Sequence, residues 1–223
     1  KMKNKILTIA HTKGGVGKST ILVNIAIYLL SLGYKVRVAD CDPNKISTFI
    51  SKRRAKIKKL QNYSVAVISS LSNLDEFCSE SFDGITVIDT AGVDCTLTRR
   101  AIEIGTLVVT PIAPSTTEFI GFATYKKVVS ELKINTNKIK MLINQAHPLT
   151  TDFESFKEQI NSPFKFFDTA IIRSKIIDDS LALGTGVVEL PKVLNKKSNK
   201  YEEIKASVRF KALVNEIIEI LGV

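Results

Sequence analysis

Ile6-Leu7-Thr8-Ile9-Ala10-His11-Thr12-Lys13-Gly14-Gly15-Val16-Gly17-Lys18-Ser19-Thr20 is an apolar, β-branched run, then a glycine-rich turn, then the opening of a stretch with helical spacing. Strand, turn and helix in that order are what a phosphate-binding loop needs. The glycines let successive backbone N–H groups converge on phosphate oxygens, and the helix N-terminus adds partial positive charge. On this reading Gly14, Gly15, Val16, Gly17, Lys18, Ser19 and Thr20 contact a nucleotide, Lys18 reaches the β- and γ-phosphates, and the Ser19 hydroxyl ligates Mg²⁺. The strict G-x-x-x-x-G-K-[ST] pattern has glycine where Thr12 stands. A chance glycine-rich turn is the bland alternative, and two acidic strand ends farther along the chain weigh against it.

Outward from this stretch, short apolar runs recur at Val36 to Asp40, Val65 to Ser69, Ile85 to Asp89, Thr106 to Ile112 and Ile139 to Asn144. They lack strict alternation, as strands buried on both faces of a parallel sheet do. Between them lie segments of helical period: Lys18 to Leu32, Lys45 to Leu60, Leu71 to Cys78, Thr98 to Ile104 and Glu118 to Leu132. The fold class is α/β, a single doubly wound, mostly parallel sheet with helices on both faces. After Asn144 the spacing predicts a helix from Asp152 to Ile160, a short edge strand over Phe164 to Phe167, and a helix from Lys175 to Leu183. A polar stretch from Pro191 to Lys200 and a last helix from Tyr201 to Leu221 complete the chain. One domain is expected over 1–223, with a nucleotide-binding core at 1–190 and a basic linker and packed C-terminal helix at 191–223.

With 223 residues, 44% apolar and 24% charged, the chain can bury a full core. Three cysteines without a C-x-x-C pair argue against a disulfide framework and a zinc ribbon, and fit a reducing compartment. No stretch approaches about 18 uninterrupted apolar residues, so the expected location is cytoplasmic. Lys1 before Met2 is left out of the fold reasoning.

The fourth strand, Ile85-Thr86-Val87-Ile88-Asp89, has the form of a Walker B segment, and Asp89 is expected to hold Mg²⁺ directly or through water. The second ends Asp40-Cys41-Asp42-Pro43-Asn44, placing carboxylates in the crevice where parallel sheets bind ligands. The same residues also make a plain helix-capping turn. Asp89-Thr90-Ala91-Gly92 matches the D-x-x-G of GTPases, but no N-K-x-D follows a later strand, which favours adenine over guanine.

Lys13 has no obvious task in a simple phosphate cradle. The pattern K-G-G-x-G-K-[ST] that it begins resembles the deviant Walker A of the ParA/MinD family of ATPases. The resemblance runs over roughly residues 5 to 190 and includes the strand-and-proline segment Val108 to Glu118, Ile172-Arg173, and Gly184 to Glu189. It implies that Lys13 reaches across a homodimer to the partner's nucleotide, so that ATP binding and dimerisation are one event. It implies that Asp42 positions the attacking water and that Asp40 sits near the Mg²⁺ shell. Lys13, Lys18 and Asp42 are then the catalytic set. Thr90, Ala91 and Gly92 form switch II, and Asn144 contacts adenine.

The formal net charge of +10 points to a polyanionic partner. Lys52, Arg53, Arg54, Lys56, Lys58 and Lys59 form one basic run on the second helix. Lys192, Lys196, Lys197, Lys200, Lys205, Arg209 and Lys211 form a second. Lysines without a groove-reading motif suit sequence-independent, salt-sensitive DNA binding, and the resemblance implies the same for the C-terminal group together with Arg173. It further implies a centromere-binding partner that stimulates hydrolysis, and association with the nucleoid. Solvated lysines are the bland reading. The last helix carries an apolar stripe, Val208, Phe210, Leu213, Val214, Ile217, Ile218 and Leu221, expected to pack on the core. Glu216 and Glu219 stand where a membrane-gripping helix wants lysine. The alternatives are a MinD-like membrane-associated regulator, a relative coupling the loop to ligase or iron–sulfur chemistry, and a protein-cargo positioning ATPase.

Overall fold

Strands that are apolar on both sides need cover on both sides, and the computed structural model, which describes residues 4–150, 152–190 and 200–223, supplies it. The strands are β1 (Lys5–Ile9), β2 (Val36–Asp40), β3 (Ser64–Val67), β4 (Ile85–Asp89), β5 (Leu107–Ile112), β6 (Ile139–Ile143) and β7 (Lys165–Phe166). They form one sheet in the order β3-β2-β4-β1-β5-β6-β7, and every pairing is parallel. The helices are α1 (Lys18–Ser31), α2 (Ile46–Arg54), α3 (Leu71–Ser79), α4 (Thr96–Ile104), α5 (Thr116–Leu132), α6 (Glu154–Ile160), α7 (Lys175–Ala182) and α8 (Lys200–Leu221).

Leu7, Ile9, Val38, Val87 and Val109 face one layer, where they meet α1, α2, α7 and α8. Their neighbours Ala10, Ala39, Ile88 and Val108 face the other, where α3, α4, α5 and α6 lie. The winding direction reverses at β1, which sits between β4 and β5. Such reversals open a crevice at the C-terminal strand ends, so the loop after β1 lies where a ligand enters. α1 runs beneath that loop and is buried almost all round at Ile21, Leu22, Val23, Ile25, Ala26, Ile27 and Leu29. A helix apolar on every side needs cover beyond the sheet. α8 provides it with Phe210, Leu213, Val214, Ile217 and Leu221.

Val208, expected in that stripe, is 56% exposed and points away from the core. β3 is half-exposed because it is an edge strand. α6 begins at Glu154 rather than Asp152, because the Asp152 carboxylate accepts the Glu154 amide at 2.9 Å. The helix expected over Lys45 to Leu60 ends at Arg54. That arginine is not part of a solvated basic face. It is fully buried, its guanidinium forks onto both oxygens of Glu189 at 2.5 and 2.6 Å, and its Nε donates to the Gln61 carbonyl. The chain therefore bends around Arg54 instead of continuing the helix. Glu189 also accepts the Gly186 amide at 3.3 Å, which joins α2 to the turn that leads toward α8.

Breaking a buried pair leaves one charge uncompensated, which typically costs about 3–5 kcal/mol. Glu189→Ala is therefore expected to lower the unfolding free energy from urea titration by that order, through a lower midpoint at unchanged slope. A shift below about 1 kcal/mol would mean that water reaches Arg54.

Candidate functional site

The loop closing β1 turns into α1 through Gly17, whose φ of 88° lies in the left-handed region. A Cβ there would stand 2.5 Å from Asn144 Nδ2. Asn144, at the end of β6, donates to the Val16 carbonyl at 2.7 Å, and the neighbouring Gln145 donates to the Gly15 carbonyl at 3.1 Å. Two amides from β6 thus hold the carbonyls of the loop outward and leave its N–H groups for a ligand.

A cleft of about 490 Å³ opens over this loop. Gly14, Gly15, Gly17, Lys18, Ser19 and Thr20 form its floor, Asp42, Pro43 and Asn44 one wall, and Ala91, Gly92 and Val93 the other. The register explains the meeting: β4 lies between β1 and β2, with Ile9 opposite Asp89 and Asp89 opposite Asp40. Thr90 turns inward and donates to the Ile9 carbonyl at 2.9 Å, fixing the start of the segment that follows β4.

Lys18 is buried at the cleft floor and donates to the Lys13 carbonyl at 3.1 Å. Burial pulls its pKa below the ordinary value, against the attraction of Asp89 and Asp42. Asp89 shows the opposite strain. It is fully buried, and neither carboxylate oxygen meets a hydrogen-bond partner at good geometry among the described residues. Burial pushes its pKa up to about 7, with Asp40 and Asp42 adding to the rise and the nearby Ser19 hydroxyl and Lys18 offsetting only part of it. An orphaned carboxylate of this kind calls for a cation. Among the described residues no cluster of three or more His, Cys, Asp or Glu side chains forms a protein-only cage. The residues fit Mg²⁺, which takes few protein ligands and completes its shell with phosphate and water.

Asp40, expected near the ion, does lie beside Asp89 but is committed elsewhere. Its Oδ2 accepts the Thr48 amide at 2.9 Å and the Thr48 hydroxyl at 2.6 Å, and its Oδ1 accepts the Asp42 amide at 3.3 Å. It ties the segment at Asp42 to α2 at Thr48. Asp42 is half-buried on the cleft wall, its Oδ1 held by the Asn44 amide at 2.8 Å. Lys13 does not line the cleft: its ammonium pairs with Glu118 and donates to Thr117 Oγ1 at 3.2 Å, both on α5.

A smaller recess of about 120 Å³ lies on the far side of Gly17 and Thr20. Asn144, Gln145, Ile171, Ile172, Arg173 and Ser174 wall it. Asn144 lines this recess and also braces the loop through the Val16 carbonyl. Arg173, expected on a DNA surface, is exposed and also borders the recess, because Ile172 bridges to Ala146 just beyond β6. Lys205 is exposed, and Arg209 is half-buried and donates to the Ala170 carbonyl at 2.9 Å. Lys192, Lys196 and Lys197 lie outside the described residues, as does the side chain of Lys200.

The sequence reading missed two residues. Glu118 is an acid in the first turn of α5, a position that usually signals only a helix start. His11 stacks on Tyr125 with centroids 5.3 Å apart, and its Nδ1 accepts the Lys13 amide at 3.0 Å. Nothing in the pattern marks it beyond its place before the loop. The Cys41 thiol is pushed up to about 12, chiefly by burial and then by Asp40 and Asp89, so it stays protonated.

Residues 7–185 match the family model described as the CobQ/CobB/MinD/ParA nucleotide binding domain. The chain belongs to this family of nucleotide-binding proteins. It is 28% identical over 136 residues to the protein ParA of Rhizobium radiobacter, a match taking in 60% of either chain. The fold is shared with a plasmid partition protein of Borrelia burgdorferi B31 bound to AMPPNP, with TM-score 0.66, 19% identity and coverage of 96% of this chain and 100% of that one. It is shared also with the septum site-determining protein MinD of Pyrococcus horikoshii with Mg-ADP, with TM-score 0.70, 16% identity and 98% of each chain.

Alanine cannot take the Gly17 conformation without strain and would displace Asn144. Gly17→Ala is expected to weaken binding of a fluorescent ATP analogue by tenfold or more, and unchanged affinity would show that the loop geometry is not what holds phosphate. His11 carries a pH signature. Burial first, then the Lys18 and Lys13 charges, hold its pKa down at about 3. The unfolded chain protonates it near 6.5, so between these values the unfolded state binds the extra proton. This contribution is full above that range and is lost as the pH falls through it. The stability gap between wild type and His11→Phe should narrow by about 2 kcal/mol from pH 7 to pH 5 in urea titrations. A constant gap would mean that His11 titrates normally.

Proposed function

We propose that this chain is a ParA-type ATPase that forms a homodimer on binding ATP–Mg²⁺, binds DNA without sequence preference as that dimer, and releases it after hydrolysis stimulated by a partner protein. Its task on this reading is segregation of plasmid or chromosomal DNA. The observation that carries the reading is Lys13, a second lysine on the phosphate loop whose ammonium is turned away from its own cleft toward α5. A lysine so placed does not serve the phosphates of its own chain, and a role across a dimer gives it one.

Hydrolysis here is mainly positioning and charge stabilisation. The loop N–H groups and Lys18 hold the β- and γ-phosphates and take up charge as it moves onto the leaving oxygen. Asp42, anchored by the Asn44 amide, orients the water that attacks the γ-phosphorus as the bond to the bridging oxygen breaks, giving ADP and phosphate. Ser19 and Asp89 would hold Mg²⁺, which when bound would add to the neutralisation of the phosphates. Asp40 keeps Asp42 in place through the Asp42 amide. α8 supports a DNA partner over a membrane, since most of its apolar stripe is buried against α1. Among the described residues no helix is long and apolar enough to cross a membrane.

The test is retention on random-sequence duplex DNA with ATP–Mg²⁺, ADP–Mg²⁺ or no nucleotide, across a salt series. Retention with ATP–Mg²⁺ alone, fading steeply with salt and absent in Lys13→Ala, is expected. No retention in any state would move the reading to a protein-cargo or membrane switch.

A further inference from the structure

Lys13 is not loose in the single chain. Its stem crosses α5 at Gly121, where an added Cβ would stand 2.9 Å from Lys13 Cδ, and its ammonium ends on Glu118 and Thr117. The Glu118 side chain is 4% exposed, that of Lys13 31%. Among the described residues Glu118 forms no other ion pair, and its Oε2 is buried with no hydrogen-bond partner. Lys13 is therefore the counter-charge of a buried carboxylate, in a slot shaped by a glycine. Moving the ammonium away leaves that carboxylate uncompensated, a cost that any new partner of Lys13 must offset.

We propose that Glu118 is a latch that holds Lys13 in its own chain, so that dimer formation is an exchange of the Lys13–Glu118 pair for a contact between Lys13 and the partner's nucleotide. The inference rests on the dimer reading above. The exchange makes the dimer selective, because Lys13 leaves a carboxylate only for a more strongly anionic group, and ATP–Mg²⁺ carries one more negative charge than ADP–Mg²⁺. Water reaches the Lys13 end of the pair, so the latch opens by moving one side chain, without refolding. Glu118 is here a positioning residue and touches no substrate.

The experiment is sedimentation of the full chain with AMPPNP–Mg²⁺ over a concentration series, comparing wild type, Glu118→Gln, Gly121→Ala and Lys13→Ala. Glu118→Gln keeps the shape and removes the charge. Gly121→Ala pushes the lysine stem out of its slot while improving helix propensity, so it tests the latch even where the first variant is unstable. Both are expected to tighten the dimer about tenfold, with nucleotide affinity of the dilute monomer within about twofold of wild type. Lys13→Ala is expected to remain monomeric. Wild-type or weaker dimerisation in both Glu118→Gln and Gly121→Ala overturns the latch and leaves the dimer reading standing. Nucleotide binding without dimers in wild type and every variant overturns the dimer reading and the latch with it.

Discussion

Parallel pairing of β4 between β1 and β2 is the constraint on which the site depends. It brings Ile9, Asp89 and Asp40 to one level, so the glycine-rich loop and the segments after β2 and β4 leave the sheet side by side. The pairing also explains the burial of the acids, since each closes a strand covered on both faces. A carboxylate in such a place needs a partner. Asp40 finds one inside the protein, in Thr48, whereas among the described residues neither oxygen of Asp89 meets a well-formed hydrogen bond.

The charges of the cleft are thus left unbalanced in complementary ways. Lys18 is buried with its pKa pulled down, and Asp89 is buried with its pKa pushed up. A phosphate suits the first and a divalent cation the second, so an anion and a cation arriving together relieve both. Lys13 is balanced already, by Glu118, which separates the two loop lysines by function although they lie five residues apart on one loop.

Behind the cleft, α8 is more than a cover for α1. Glu216 accepts the amides of Asp168 and Thr169, each at 2.9 Å, and Arg209 donates to the carbonyl of Ala170. These bonds hold the segment that continues into the wall of the smaller recess at Ile171 and Ile172. The helix that bears basic residues is therefore physically continuous with the nucleotide pocket. Arg54 and Glu189 tie α2, which follows the turn at Asp42, to the turn at 186–189.

The order of strands and helices, the loop from Lys13 to Thr20, and the acids Asp40, Asp42 and Asp89 were legible from local pattern, because apolar period, glycine placement and strand-end acids are properties of short segments. The division of labour among those acids was not. Nothing in D-x-D-P says that Asp40 serves Thr48, and nothing in a run of Lys and Arg says that Arg54 turns inward to Glu189, 135 residues away. Arg173 is exposed as a surface cation would be, but only the path beside β6 sets it next to the recess. Sequence by itself determined the fold class and the chemistry available at the strand ends. Tertiary structure decided which charge meets which, because burial and counter-charge are set by residues far apart in the chain, and Glu118, an ordinary helix-start acid in sequence, becomes the partner of Lys13 only when α5 lies against the loop.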